Sequence, residues 1–380
     1  MDFALTEEQK LIQETARDFA EKELIPIAEA VDETREPPIA AVRKLGELGF
    51  LGMLVPEEYG GAGLDDVSYV LAMEEIARGC ASACVIMDVN NSLVCEPLRM
   101  FGNEEQKRKY LTPLARGEKL GAYCLTEANA GSDAGNLQTR AVASGNDYLL
   151  TGTKLFVTNG GIANVFLIFA SSEPEKKTRG ISAFIVEETF PGFRRGRREK
   201  TMGIRGSTTY EIILEDCRVP RENVLGEPGR GFKVAMEALD SGRIGIAAQA
   251  VGIARAAHGR AIEHAKSRQQ FGEPIGNFQA IQWMLADMAT KIEAAHLLTL
   301  RAAVLRDQGG DYVTASAQAK LFASRVAVEV CDAAIQVHGG YGYTQDYHVE
   351  RHFRDSKITE LYEGTSEIQR LIIARRLLRG

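Results

Sequence analysis

The stretch AYCLTEANAGSDAGNLQTRA, residues 122–141, marks the point at which helical patterns give way to strand patterns. Well before it, Thr6 and Gln9 form a capping-box pattern ahead of apolar residues at helical spacing. After it come short runs rich in β-branched and aromatic residues, such as YLLTGTKLFVTN (148–159), separated by turn sequences. The sequence therefore predicts a helical region followed by a β domain.

Helical patterns return after about residue 229, and they are longer than those near the N-terminus. The helical period covers four runs, at 232–268, 277–307, 311–337 and 366–378. Long helices with short connections indicate a bundle. We predict three domains, which cover residues 1–118, 119–228 and 229–380.

Composition and charge exclude several classes of protein. The chain has 380 residues, more than one hydrophobic core usually supports, and its 45% hydrophobic and 26% charged residues suit a soluble globular protein. A balance of 45 basic against 52 acidic residues gives −7, which disfavours a general nucleic-acid binder. The N-terminus lacks the features of a signal peptide, no apolar run is long enough to span a membrane, and six scattered cysteines suit reduced thiols. We expect a cytoplasmic location and no membrane insertion.

Two local patterns resemble ligand sites without completing them. HVERH (348–352) has two histidines at helical spacing, but Val349 stands where a zincin needs Glu and no third ligand is evident. The glycine-rich GEPGRGF and GGYGYT complete neither the dinucleotide nor the P-loop pattern. We therefore predict no metal site and no Rossmann domain.

The stretch 122–141 is dense in small, hydroxyl and amide residues. Such a loop exposes backbone N–H groups and hydroxyls that suit an anionic cofactor. The same composition also suits a polar surface loop with no ligand. The residues of this loop considered alone leave both interpretations open.

YCLTE-x-x-x-GSD within this stretch, followed by GTKLFVTNGG (152–161), resembles the acyl-CoA dehydrogenases, flavoproteins that desaturate acyl thioesters. Further matching motifs follow in the family's order: GFLGMLVPEEYGGAG (49–63), MGIRGS (202–207), RVPRENVLGEPGRGF (218–232), RQQFGEPIGNFQAIQ (268–282), QVHGGYGY (336–343) and YEGTSEIQR (362–370). Motifs in order over nearly the whole chain are more specific than any one alone. The resemblance implies an α+β multidomain fold with an N-terminal all-α domain, a middle antiparallel β domain and a C-terminal four-helix bundle.

The resemblance also implies FAD as the cofactor. Thr126 would contact the pyrimidine side of the flavin, and Ser132 would lie between the pyrophosphate and the thioester substrate. Phe156 stands where the family often has Trp against the isoalloxazine, and Thr158 would lie near N5. The other residues expected to bind FAD near the flavin are Tyr123, Leu125, Gly131, Thr365 and Glu367. Phe156 is equally explicable as core packing.

A second group of expected FAD contacts comes from the C-terminal domain. Arg268, Phe271 and Gln279 look like contacts of the adenosine-diphosphate part. Gln336, Gly339 and Gly340 would reach an FAD held mainly by a neighbouring subunit, and the resemblance implies a homotetramer. An arginine is a fixed planar cation suited to pyrophosphate, but Arg268 is also explicable as one half of an ordinary helix salt bridge.

The catalytic base is expected at Glu363. One Glu among 52 acidic residues is by itself most simply a solvated loop carboxylate. The family places its base either in the loop before the last helix or on an earlier helix, and the earlier position corresponds here to Gly242. Glu367 is the nearest rival; it lies in the first turn of the last helix, where Ser366 and Gln369 predict a capping box.

We predict an FAD-dependent acyl-CoA dehydrogenase. Glu363 would remove the α-proton, hydride would pass from the β-carbon to flavin N5, and the product would be a trans-2-enoyl-CoA. Electrons would then pass to an electron-transfer flavoprotein. Substrate contacts implied by the resemblance are Ser132, Asp240, Arg243 and Gly364.

The stretch VNNSLVCEP (89–97) resembles short-chain, butyryl-type members, which favours a short or small branched acyl group. The acyl-binding helix around residues 85–98 offers no cation, which disfavours a dicarboxylyl substrate. Two alternatives are an oxidase or monooxygenase on the same scaffold and a nucleic-acid-binding homologue with a vestigial flavin.

Overall fold

The computed structural model describes residues 4–379, and its N-terminal part is helical. Thr6 Oγ1 accepts a hydrogen bond from the Gln9 N–H at 3.1 Å, and the Gln9 side chain accepts one from the Thr6 N–H at 3.0 Å, so the predicted capping box is confirmed. The helices of this part are α1 (Glu7–Phe19), α2 (Ala28–Thr34), α3 (Ile39–Glu47), α4 (Asp66–Gly79), α5 (Ala81–Asp88), α6 (Glu96–Phe101), α7 (Glu104–Gln106) and α8 (Thr112–Ala115).

A π-helical segment, Val89–Cys95, joins α5 to α6. Every residue of α5 and of this segment is buried. Helix α4 is buried on nearly all sides because it lies between α1 and the bundle. The substrate-side helix expected around 85–98 is therefore a continuous helical rod with a π-helical centre, a feature often found at functional sites.

The middle part is one sheet of eight strands in the order β6-β7-β3-β2-β4-β5-β8, with β1 beside β4. The strands are β1 (Gly121–Cys124), β2 (Arg140–Ser144), β3 (Asp147–Val157), β4 (Val165–Ser171), β5 (Ile181–Glu187), β6 (Phe193–Arg198), β7 (Tyr210–Pro220) and β8 (Val224–Leu225). The expectation of a wholly antiparallel sheet is wrong in two places, because β1 and β2 each pair with β4 in parallel. Parallel pairing requires a long connection, and the β2–β3 hairpin lies within the one between β1 and β4.

The C-terminal part is a bundle built on one long helix. Its helices are α9 (Gly231–Ser267), α10 (Gln279–Asp307), α11 (Val313–His338), α12 (Val349–Lys357) and α13 (Ser366–Arg379), and β9 (Gln269–Gln270) pairs with β10 (Glu273–Pro274) in a small hairpin after α9. Helix α9 packs against α11, α10 and α4, and it also reaches β5, so it joins all three parts. The short α12 was not predicted.

The start of α13 differs from the predicted capping box by one residue. Thr365 Oγ1, not Ser366, accepts the hydrogen bond from a first-turn N–H, that of Ile368 at 3.4 Å. The Gln369 side chain instead donates to the carbonyl of Gly364 at 2.8 Å. The predicted Ser366–Gln369 capping box is therefore wrong, because the Gln369 side chain binds the Gly364 carbonyl instead.

Three observations concern the sites and spans considered from the sequence. The six cysteines are free thiols and buried. Within residues 4–379, no three or more His, Cys, Asp or Glu side chains are grouped as a metal site would require. Over the same residues, no helix combines the length and apolar character needed to cross a bilayer.

Candidate active site

Glu363 lies in the loop before α13, in a backbone conformation that residues other than glycine rarely adopt. Its φ is 52°, and Gly364 follows with a φ of 96°. The Lys320 ammonium donates to the Gly364 carbonyl at 2.6 Å, and Gln369 donates to the same oxygen at 2.8 Å. A non-glycine residue at positive φ persists only where its surroundings enforce it. The two donors supply that constraint.

The carboxyl group of Glu363 lies against α9 at Gly242. A Cβ added at Gly242 would overlap the Glu363 Oε2 atom. The glycine therefore leaves the space that this carboxyl group occupies. The two positions considered for the base from the sequence, Glu363 and Gly242, are thus adjacent in this fold, and Glu363 is the one with a carboxyl group.

Burial raises the pKa of Glu363 well above its ordinary value, and the negative charge of Asp88 raises it further. Lys320 and Arg243 act in the opposite direction. The Oε2 atom is inaccessible and has no hydrogen-bond partner among residues 4–379. A carboxylate with a raised pKa is a stronger base and is better matched to a weakly acidic C–H group.

Glu367, the nearest rival, has the opposite environment. It is exposed and pairs with Arg370 at 3.5 Å. Hydrogen bonds from its own N–H and from the Thr365 side chain lower its pKa. Glu367 therefore lacks the burial that would make it a strong base.

The loop expected to line the flavin is held by a buried ion pair. Lys154 of β3 is fully buried and its ammonium lies 2.7 Å from Glu127 Oε1. Lys154 also donates to the Leu125 carbonyl at 3.3 Å, and the Leu155 N–H donates to the Thr126 carbonyl at 2.8 Å. The backbone of the loop therefore follows β3. Gly131 and Ser132, further along, are exposed.

Phe156 is not a core residue. It is 62% exposed, and its φ of 55° places a bulky side chain in the left-handed region. Thr158, two residues on, is half-buried. The structure therefore rules out the core-packing interpretation of Phe156 and leaves its predicted position against a flavin ring as an expectation.

Tyr123 connects the sheet with the bundle. Its hydroxyl donates to the Ala235 carbonyl of α9 at 3.1 Å, and its ring lies 5.0 Å from that of Phe169. Burial raises its pKa well above the ordinary value, and the charge of Glu363 adds to this. The predicted flavin loop and the predicted base therefore belong to one region.

The predicted substrate contacts Asp240 and Arg243 form an ion pair on α9. Arg243 is 3% exposed, and its Nε atom has no partner among the described residues. Arg243 acts electrostatically on Glu363. The pair therefore lies at the base end of the site, and its predicted contact with the CoA portion stays a prediction.

The second group of predicted FAD contacts lies at the other end of α9. The Arg268 guanidinium lies 5.2 Å from the ring centre of Tyr341, and no carboxylate of residues 4–379 is within salt-bridge distance of it. The structure thus gives no support to the ordinary salt bridge considered for Arg268. The group's other members are exposed: Phe271 (96%, φ 55°), Gln279, Gln336, Gly339 (φ 61°) and Gly340.

One chain does not bring these two groups together. Gly242 and Arg268 both belong to the α9 region, and 26 residues at 1.5 Å per residue separate them by roughly 39 Å. The Glu363 region contains Tyr123 and the Asp240–Arg243 pair. The Arg268 region contains the exposed turn after α11.

Two buried charged residues of the site were missed. Asp88 interrupts the apolar run CVIMDV, and Lys320 stands among small residues in ASAQAKLFAS. Both are fully buried. A charged residue within an otherwise apolar helical run is the signal that could have identified them, since such residues are almost never buried without a specific partner.

The chain matches three family models over most of its length. They are described as the acyl-CoA dehydrogenase N-terminal domain (residues 6–118), middle domain (122–217) and C-terminal domain (229–378). The human short-chain specific acyl-CoA dehydrogenase, mitochondrial, is 52% identical over 99% of this chain and 91% of its own length.

Two solved structures align with this chain over the full length of both proteins. One is butyryl-CoA dehydrogenase from Megasphaera elsdenii, with a TM-score of 0.98 and 46% identity. The other comes from a study of the electron transferring flavoprotein of Acidaminococcus fermentans, with a TM-score of 0.99 and 51% identity.

Proposed function

Since the chain belongs to the acyl-CoA dehydrogenase family, we propose that it oxidises a short-chain acyl-CoA with Glu363 as the base. Membership makes it an oxidoreductase that carries out FAD-dependent acyl-CoA dehydrogenation. The observation that carries the assignment of the base is the position of Glu363. Its carboxyl group fills the space beside Gly242, where the alternative base would stand.

The residues present fit FAD. At one end of the proposed site, an exposed aromatic ring at Phe156 and the hydroxyl of Thr158 suit the flavin ring. At the other end, no carboxylate of residues 4–379 pairs with the Arg268 guanidinium, and a Cβ on Gly340 would meet no atom of these residues within 4 Å. A cation beside open backbone suits a pyrophosphate. FAD bound there would supply the acceptor for the β-hydride.

The chain's own contribution is to remove the α-proton and stabilise the charge that develops. In our proposal the thioester carbonyl accepts a hydrogen bond from the Glu363 N–H, which donates to no acceptor within residues 4–379. Developing enolate charge is stabilised by such a donor, and Glu363 Oε2 takes the proton. Lys320 and Gln369 hold the loop that carries both groups by donating to the Gly364 carbonyl.

The short-chain assignment rests on relatives and on the expected acyl-binding helix. The human relative is named short-chain specific, and the Megasphaera structure is a butyryl-CoA dehydrogenase. In this chain the helical rod Ala81–Phe101 is fully buried up to Leu98 and carries no cation before Arg99. A second, charged end on the substrate would find no counter-ion there.

We further propose a homotetramer that passes its electrons to an electron-transfer flavoprotein in the cytoplasm. The roughly 39 Å along α9 between Gly242, which lies beside the proposed base, and Arg268 supports a site shared between copies of the chain. The similar structure from the Acidaminococcus electron-transferring flavoprotein study supports the electron acceptor. Sedimentation at micromolar concentration tests the assembly, and a dimer or monomer that retains FAD would overturn the shared site.

The proposed substrate is tested by flavin bleaching. The purified protein is mixed anaerobically with saturated acyl-CoA esters from butyryl to palmitoyl, and the flavin absorbance is followed. We expect the fastest bleaching with the shortest esters and slow reoxidation by O₂. Bleaching that is fastest with long chains would overturn the substrate assignment, and rapid reoxidation by O₂ would indicate an oxidase.

A further inference from the structure

We propose that Asp88 is the positioning partner of Glu363: the two carboxyl groups share one proton in the free enzyme, and Asp88 keeps it when Glu363 acts as the base. This inference rests on the proposed role of Glu363. It assigns a function to a residue on α5 that neither the sequence motifs nor the mechanism above uses.

Two glycines one turn apart on α9 place the carboxyl groups side by side. A Cβ at Gly242 would overlap Glu363 Oε2, and a Cβ at Gly245 would overlap Asp88 Oδ1. Residues three apart on a helix lie about 5–6 Å from each other on the same face. The carboxyl groups of Asp88 and Glu363 are accordingly neighbours on this face of α9, and burial together with the charge of Asp88 raises the pKa of Glu363.

Each carboxyl group has an oxygen atom without a partner. Asp88 Oδ1 accepts hydrogen bonds from the Tyr69 hydroxyl at 2.7 Å and from Ser92 at 3.2 Å, whereas Oδ2 has no partner among residues 4–379. Glu363 Oε2 is buried and equally unpaired. Two ionised carboxylates are acceptors only and repel each other. One proton between them satisfies both oxygen atoms.

The surroundings allow a single negative charge on this pair. The other titratable groups that act on it come from every element packed around it, and they are Tyr69, Cys84, Tyr123, Arg243, Lys320 and Tyr362. Arg243 is already paired with Asp240. The ammonium of Lys320 is committed to the Gly364 carbonyl, and burial lowers its pKa to about 7. A second negative charge would therefore lack a full counter-charge.

The shared proton and the α-proton can be followed through the proposed reaction. In the free enzyme the shared proton lies between Glu363 and Asp88. When the thioester binds, Glu363 turns to the α-carbon as a carboxylate and the proton stays on Asp88. The α C–H bond then breaks toward Glu363, the β-hydride leaves for the oxidised flavin, and the C=C bond forms. One proton returns to solvent after the product leaves, which restores the pair.

The direct test is Asp88→Asn, which keeps the shape of the side chain. The amide oxygen can still accept from Tyr69 and Ser92, while the NH₂ group faces Glu363 and favours its ionised form. The acid limb of kcat/KM against pH, measured with butyryl-CoA, reports Glu363 in the free enzyme. We expect this limb to move to lower pH by about one unit or more. An acid limb that stays in place would overturn the proposal.

Stability against pH gives a readout that does not depend on turnover. The pKa of Asp88 is raised to about 6 and that of Glu363 is raised well above its ordinary value, each mainly by burial. A carboxyl group with a raised pKa contributes stability at low pH that is lost as pH rises through the folded-state pKa. Asp88→Asn removes this loss. The Tm of the variant, relative to wild type, should therefore rise by roughly 2 °C between about pH 4, near the ordinary pKa of an aspartate, and pH 6; a constant difference would contradict the pair.

A second variant and a matched control complete the design. Tyr69→Phe removes a donor to the Asp88 carboxylate, so Asp88 holds the proton more readily and the acid limb should move in the same direction by less. Asp355 is also buried, with a pKa raised to about 6, but it lies on α12 and accepts from the Ile204 N–H. Asp355→Asn should leave the acid limb unchanged, and an equal shift there would remove the special role of Asp88.

The outcomes separate this inference from the proposed function. If no acyl-CoA bleaches the wild-type flavin, the proposed function fails. If wild type is reduced but the acid limb is the same in Asp88→Asn and Tyr69→Phe, then the shared proton alone is wrong.

Discussion

The two ends of α9 present opposite environments to the residues expected to act there. Near Gly242 and Gly245, Glu363 Oε2 and the Asp88 carboxyl group are buried among side chains of this chain. Near Arg268, the other candidate residues are exposed, and the guanidinium has an aromatic ring beside it but no carboxylate from the described part of the chain. This difference is the one expected from our proposal that one chain supplies the base while a second copy of the chain contacts the far end of FAD.

The largest expected effect is at the buried end. Glu363→Gln keeps the size of the side chain and removes its basicity. We expect flavin reduction by butyryl-CoA to slow by about 10³–10⁴-fold, which corresponds to about 4–5.5 kcal/mol of barrier. The flavin spectrum should be unchanged. Glu367→Gln is the matched control on the same segment; it should stay within about twofold, and the reverse pattern would exchange their roles.

The next effect concerns how firmly the chain itself holds the loop beside the flavin. Glu127→Gln removes the partner of Lys154, which is fully buried. Breaking a buried pair from one side leaves an uncompensated charge, so we expect a loss of about 3 kcal/mol in the free energy of unfolding and easier loss of FAD. Urea unfolding measures the change in the free energy of unfolding. The exposed Glu7–Lys10 pair offers the control, and Glu7→Gln should unfold as wild type does.

At the exposed end, Arg268→Ala should weaken FAD binding by about tenfold, since a charge-assisted hydrogen bond is lost. Enzyme reloaded with excess FAD should reduce at the wild-type rate, because the reacting groups lie roughly 39 Å away along the helix. Fluorescence titration of the apoprotein measures the affinity. Arg260→Ala, at the same end of α9, is the control. An equal loss of FAD affinity in both variants would mean that the positive charge of this surface, and not a specific contact of Arg268, binds FAD.

The smallest effect tests the anchor of the Glu363 loop. Lys320→Met retains the apolar stem and loses the hydrogen bond to the Gly364 carbonyl. We expect kcat to fall about tenfold with little change in KM, because a misplaced base costs rate rather than substrate binding. Stopped-flow reduction separates the two quantities. Arg325→Met, at an exposed position further along α11, should have no effect, and a purely KM-based loss in Lys320→Met would place the lysine in binding instead.

Much of the fold was predictable because its signals are local. The capping box at Thr6, the long helices of the bundle and the strand patterns from residue 147 onward depend on spacing and composition within each segment. The parallel pairing of β1 with β4 was missed because it joins segments separated by a hairpin. The cap of α13 was misplaced by one residue because Gln369 serves the Gly364 carbonyl, a tertiary demand that the local pattern does not contain.

The site was predictable in part for the same reason. Glu363 follows from a motif and from Gly242, whose lack of a side chain the structure explains by the carboxyl group beside it. The roles of Asp88 and Lys320 depend on which helices pack around that carboxyl group, so they became visible only in three dimensions. The exposed positive-φ residues Phe156 and Phe271 also show strain that sequence cannot reveal.

The most direct test of Glu363 as the base measures removal of the α-proton separately from hydride transfer. A butyryl-CoA analogue with sulfur in place of the β-methylene keeps an acidic α-hydrogen and has no β-hydride to give. In D₂O, NMR follows the loss of its α-hydrogen signal in the presence of the FAD-loaded enzyme. We expect rapid exchange with wild type and with Glu367→Gln, and none above background with Glu363→Gln. Exchange at the wild-type rate in Glu363→Gln would contradict this assignment of the base.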